Sequence, residues 1–187
     1  MKRLFMIVAA ICLTATIAHS DGIGIFSEPT GFDCILNELA PPPATTPAYI
    51  IHKFNNGSAG SQFKVDNASP LFFVSATSPY LFLGGVFTDI SLAYGSCVTG
   101  DHVLMTLDFF YFGEPTTCES TLTVVAAPTS PLPGEIVTVT CGPPFDFEPA
   151  SGGRTYVGPG SNECPCACQC PHPVRDATWG GVKALYR

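Results

Sequence analysis

The stretch His102-Val103-Leu104-Met105-Thr106-Leu107-Asp108-Phe109-Phe110-Tyr111-Phe112 decides the fold class. Val103, Met105, Leu107, Phe109 and Tyr111 fall on one face of an extended chain. His102, Thr106 and Asp108 fall on the other, with Leu104, Phe110 and Phe112 among them. Successive side chains of a strand point to opposite faces, so this period of two marks a strand in the middle of a sheet, wet on part of its outer face.

Shorter strand signals flank it on both sides. Residues 48–54 are β-branched and aromatic, Asn55-Asn56-Gly57-Ser58 reads as a turn, and Gln62 to Val65 alternates. An Asn-Gly pair takes positive φ at little cost, so 48–65 is predicted to be a hairpin. Residues 71–74 and 80–83 are brief apolar runs, and Phe87 to Tyr94 follows the break at Gly84-Gly85. Residues 121–127 and 135–140 form a second expected hairpin, around a link (128–134) too rich in proline to pair. Helix is expected only at 34–39 and at the extreme C-terminus. Eight to ten short strands at near-regular spacing predict an all-β, two-sheet antiparallel β-sandwich, with a closed barrel as runner-up.

The chain starts with Lys2-Arg3, an uncharged apolar run from Leu4 to Ala18, and Ala18-His19-Ser20. This is the layout of a secretory signal peptide, shorter than the roughly twenty residues of a membrane span. Export predicts cleavage before Asp21, with Cys12 discarded. The domain boundaries expected are then 1–20 for the leader, 21–158 for the sandwich and 159–187 for a cysteine-rich tail. Without Lys2 and Arg3, six basic residues face fifteen acidic ones, a net charge of −9. Such a surface repels phosphate backbones, which excludes nucleic acid as a partner.

Eight cysteines remain past the leader, an even count that favours disulfides outside the cytoplasm. The pairings expected are Cys34 with Cys97 and, across the open end of the second hairpin, Cys118 with Cys141. Cys164, Cys166, Cys168 and Cys170 alternate, and adjacent members are too close for an unstrained bridge. They either pair over longer gaps or, with His172, hold a soft ion such as Zn(II) or Cu(I). Farther on, Trp179, Val182, Leu185 and Tyr186 share one helical face, as a docking tag or as a segment that packs back.

The opening Gly22-Ile23-Gly24-Ile25-Phe26 with Asp33-Cys34, and Gly95-Ser96-Cys97 before the long strand, resemble secreted bacterial β-sandwich proteins of unassigned function. The strand order is similar to that of the cohesin-like and immunoglobulin-like group. The resemblance covers roughly residues 22–141. It implies a sandwich with a binding or structural role, and it carries over no catalytic residue.

Enzyme signatures are missing: there is no nucleophile elbow, zinc-protease helix or phosphate loop. His52 and His102 lie in strands and could meet across a sheet, with Asp108 as a neighbouring acid. Such a cluster could do acid–base work, but a pair of ordinary strand histidines is the reading favoured. Asp146 and Glu148 share one side of an extended chain as calcium-type oxygens or as a solvated edge. Asn56-Gly57-Ser58 and Asn67-Ala68-Ser69 fit both a glycosylation acceptor and turn chemistry. Two layers cannot bury both faces of every strand. Some rings among Phe72, Phe73, Tyr80, Phe82, Phe109, Phe110, Tyr111 and Phe112 are therefore expected at a surface that contacts protein or carbohydrate. The reading is a secreted or surface-associated, non-catalytic binding or structural module without a cofactor, the alternative being an extracytoplasmic metal binder that uses the cysteine-rich tail.

Overall fold

The computed structural model describes residues 21–33, 35–36, 42–113 and 119–158. Within them lie twelve strands: β1 (Gly22–Phe26), β2 (Ile35–Leu36), β3 (Ala44–Lys53), β4 (Ser58–Asn67), β5 (Phe72–Thr77) and β6 (Leu81–Gly85). They continue as β7 (Asp89–Val98), β8 (His102–Tyr111), β9 (Thr121–Val125), β10 (Ile136–Thr140), β11 (Phe147–Gly152) and β12 (Arg154–Val157). The described residues contain no helix. Ile35 and Leu36, expected in a helix, run parallel to β12 instead. A short apolar run is ambiguous between helix and strand until a partner claims it.

One layer has the order β1-β3-β8-β5, and the other is built on β6-β7-β4 with β9 and β10 along the far edge of β4. β11 pairs antiparallel with β10 and parallel with β1, so the layers join on that side. β5 and β6, each with one strand partner, border the opposite side. The inner faces meet in one core. Ile23, Ile25, Ala48, Ile50, Met105, Leu107 and Phe109 from the first layer pack on Phe63, Val65, Ile90, Leu92, Leu122 and Val124 from the second. The β-sandwich expected from the alternation of 102–112 is present.

Two expected hairpins are not. β3 pairs with β1 and β8, whereas β4 pairs with β7, β9 and β10. Residues 54–57 therefore cross between layers. Phe54 takes a left-handed φ of 57°, and the buried Asn55 side chain donates to the Val98 carbonyl at 2.9 Å. Likewise β9 and β10 do not pair with each other. β9 joins β4 to β12, and β10 joins β4 to β11. The turn chemistry was right and the destination wrong, because an Asn-Gly turn closes a hairpin only when the two strands meet the same sheet. β11 and β12, in a stretch rich in proline, glycine and serine, complete the sandwich.

A bulge between Ile50 and Ile51 opposes Ile50 to Met105 and Ile51 to Val103, so Leu104 and Met105 are both buried. On the outer face there, Phe26 and Ile51 form a second small core with Tyr49 and Val103. Lys53 lies over the Phe26, Phe32 and Phe54 rings and pairs with Asp101. The Phe54 N–H and Lys53 hold the Asp101 carboxyl below its ordinary pKa, although burial opposes them.

The described disulfide joins Cys97 to Cys141, with Cα atoms 5.4 Å apart. This overturns the pairings Cys34–Cys97 and Cys118–Cys141. Cys34 and Cys118 lie outside the described residues. Ser58, the first residue of β4, is flanked by Val98 on β7 and Thr140 on β10. The two cysteines adjoin those flanking residues, and both sulfurs lie 3.5 Å from where a Cβ on Gly57 would stand. The bridge thus closes over the start of β4, beside Gly57.

Candidate functional site

The aromatic-rich strands place their rings in opposite environments. Phe109 is completely buried, while Phe72, Phe73 and Phe112 are exposed at 52%, 39% and 59%. Register explains the split. Phe72 pairs with Phe110 on the outer face, and Phe73 pairs with Phe109 facing inward. Phe112 stands edge-on to Phe72 at 5.0 Å and to Phe110 at 4.6 Å between ring centroids. Phe73 stands edge-on to Phe87 at 5.1 Å. Val74 is exposed as well, so the open side of the sandwich along β5 is lined with large apolar side chains, while the exposed Leu81 and Leu83 pair with exposed Ala93 and Ser91 and project from the outer face of the second layer. Tyr80 and Phe82 pack partly against the core, as does Tyr111.

A groove of about 310 Å³ opens there, between Leu71, Phe72 and Phe73 on one wall and Val65, Asp66 and Phe87 on the other. Residues 71–77 carry no charge. The nearest acids are Asp66, 2.8 Å from Lys64, and Asp108, which accepts a 2.7 Å hydrogen bond from Ser75. Natural sheet edges are protected by charge, proline or a covering segment. Among the described residues, β5 has only a register shift between Phe73 and Ser75.

His52 and His102 do meet, as direct partners across β3 and β8 with ring centroids 5.3 Å apart. Asp108 is not their neighbour, because it lies six residues along β8 and is held by Ser75. The acid beside them is Asp21, whose Oδ2 is 3.5 Å from His52 Nε2. His52 Nδ1 is 3.3 Å from the Tyr94 hydroxyl, and Tyr80 packs on both Tyr94 and His102. Burial pushes the Tyr94 phenol well above its ordinary pKa, and the Ser61 and Ser58 hydroxyls offset this only in part. Burial also lowers the His102 pKa, against the Gly100 carbonyl that its ring contacts at 2.9 Å. His52 lies between Asp21 and Tyr94 as the centre of a proton relay would, but its Nε2 makes no hydrogen bond to Asp21 and the chain is not connected. His52 is fully buried and Tyr94 nearly so, and a substrate would have to displace core to reach them. The cluster is interior structure linking β1, β3, β7 and β8.

Asp146 and Glu148 are exposed on either side of Phe147, and no group of three ligating side chains is arranged for a metal among the described residues. Asn56 and Asn67 are exposed, the latter donating to the Leu71 carbonyl at 2.9 Å. Cys164, Cys166, Cys168, Cys170 and His172, with the Trp179, Leu185 and Tyr186 segment, lie outside the described residues. Of the eight rings the sequence singles out, Phe72, Phe73 and Phe112 are exposed and Phe109 is buried, and the exposed Val74, Phe87, Leu81 and Leu83 were not among those singled out. Val74 is exposed at the edge of β5, Phe87 in the turn after β6, and Leu81 and Leu83 on the outer face of β6, placements that local sequence does not encode.

No protein family matches the chain, and no curated protein does. Among solved structures, a chain of a cohesin–dockerin complex, crystallised at pH 5.5, is similar with a TM-score of 0.46 and 10% identity. The match covers 74% of this chain and 99% of that one.

Proposed function

We propose that the protein is an exported, non-catalytic module that binds another protein through the open side of its sandwich. One observation supports this most directly: Phe72, Phe73, Val74, Phe87 and Phe112 are exposed around the edge strand β5, with Phe72 in ring contact with Phe112 and Phe73 with Phe87. Contiguous apolar surface of this kind costs solubility in a free monomer and marks an interaction site. Phenylalanine supplies apolar area without a hydroxyl or amine, which suits a protein surface better than the polar rim of a sugar.

Photo-crosslinking tests the reading. Benzoylphenylalanine placed at Phe72 or Phe112 in the full chain should trap a discrete protein partner in the producing cell or its medium. The same probe at Tyr156, on β12 and away from these edges, should trap none. Equal trapping at all three positions would defeat the assignment. Export is checked separately, by N-terminal sequencing that should begin at Asp21.

A further inference from the structure

Resting on that reading, we infer that the partner contributes an extended, apolar segment with flanking Lys or Arg, added as a new strand on the outer edge of β5.

The edge fixes the geometry. β5 is six residues long and, among the described residues, pairs only with β8, so its other side presents backbone donors and acceptors along Phe72–Thr77. An extended peptide satisfies such a row by main-chain hydrogen bonds, and alternate side chains supply specificity. The groove adjoins the first residues of this edge, between the layers. Every second side chain of an added strand would turn inward there, toward Phe73 and Phe87. Those on the other face would meet Phe72, Phe110 and Phe112. Both sets of pockets are aromatic, so the segment is apolar on both faces.

Charge chooses the kind of partner. Asp66 stands in the groove wall and Asp108 on the outer face two pairs along from Phe110, while β5 itself is neutral. A second copy would bring the same acids and, without the leader, a net charge of −9 against its twin. A segment ending in Lys or Arg meets the carboxylate of Asp108, and that of Asp66 in competition with Lys64, which speeds encounter and fixes register.

The test uses the full-length chain and the capped peptide Lys-Val-Thr-Val-Phe-Val-Lys. One analogue has Glu at both ends, and another has alternate amides N-methylated. Binding followed by amide exchange should protect the backbone of Phe72–Thr77. The Glu analogue should bind about tenfold more weakly or worse, the loss of one charge-assisted contact. N-methylation along the pairing edge should abolish binding. Val74→Lys, an exposed edge substitution that opposes like charge to the peptide, should also abolish it without lowering Tm. Peptide binding that leaves the β5 amides unprotected, or survives N-methylation, overturns strand addition. It leaves the crosslinking result at Phe72 and Phe112 standing. No binding at millimolar peptide overturns it too, as does a dimer seen by sedimentation and dissolved by Val74→Lys, which would make the occupant a second copy.

Discussion

Removing the Cys97–Cys141 bridge tests how the sandwich is held. The bond spans 44 residues of sequence and ties the end of β7 to the end of β10 across the start of β4. On the chain-entropy estimate, a loop of that length costs the unfolded state roughly 4 kcal/mol of freedom. For a domain near 140 residues, each kcal/mol moves Tm by about 3 °C, so Cys97→Ser with Cys141→Ser should lower Tm by about 12 °C. Differential scanning calorimetry reads the shift. The two single variants should each lose about as much as the double, because either one opens the loop, and this non-additivity is the signature of a shared bond. Peptide mapping of unreduced protein should recover residues 97 and 141 in one linked fragment. A fragment linking Cys97 to Cys34, or single variants whose losses add, would refute the reasoning.

Phe63→Ala on β4 empties a fully buried site in the main core and should cost about 3–5 kcal/mol by urea denaturation. Gly60→Ala should cost about 1–3 kcal/mol, since its Cβ would stand 2.5 Å from the Leu92 carbonyl oxygen and push β4 from β7. Acidification should destabilise the fold through His102. Its folded pKa lies below the unfolded 6.5, so its contribution is complete above that pH and is lost as pH falls through the folded value. Asp21, His52, Tyr80, Tyr94 and Asp101 face or adjoin this ring, and thermal melts from pH 7.5 to 5 should flatten in His102→Gln. Phe72→Ser with Phe112→Ser should change stability by less than about 0.5 kcal/mol per site while abolishing crosslinked partner capture through position 73.

The alternation of His102–Phe112 was enough to establish strand, and enough strands of that kind establish a layered β fold, because period two is a property of the backbone alone. That aromatic residues exceed what two layers can bury was also legible, since it needs only counting. Pairing was not. The 54–57 turn carries ideal hairpin chemistry, yet Asn55 and a left-handed Phe54 send the chain to the opposite layer. Nothing local distinguishes those destinations. The partner of Cys97 was hidden for the same reason, since β7 and β10 approach only because both flank β4. His52 and His102 could be guessed as neighbours, but their acid came from Asp21, brought in by the β1–β3 ladder, and not from Asp108 on their own strand.

The sequence by itself determined the local periods, the acidic balance and the stock of cysteines and aromatics, all of which are fixed within a few residues of chain. The tertiary structure alone decided which strands became edges, which rings were left in water and which sulfurs met. Those outcomes depend on contacts between segments tens of residues apart, where loop closure allows many partners and only the packed core selects among them.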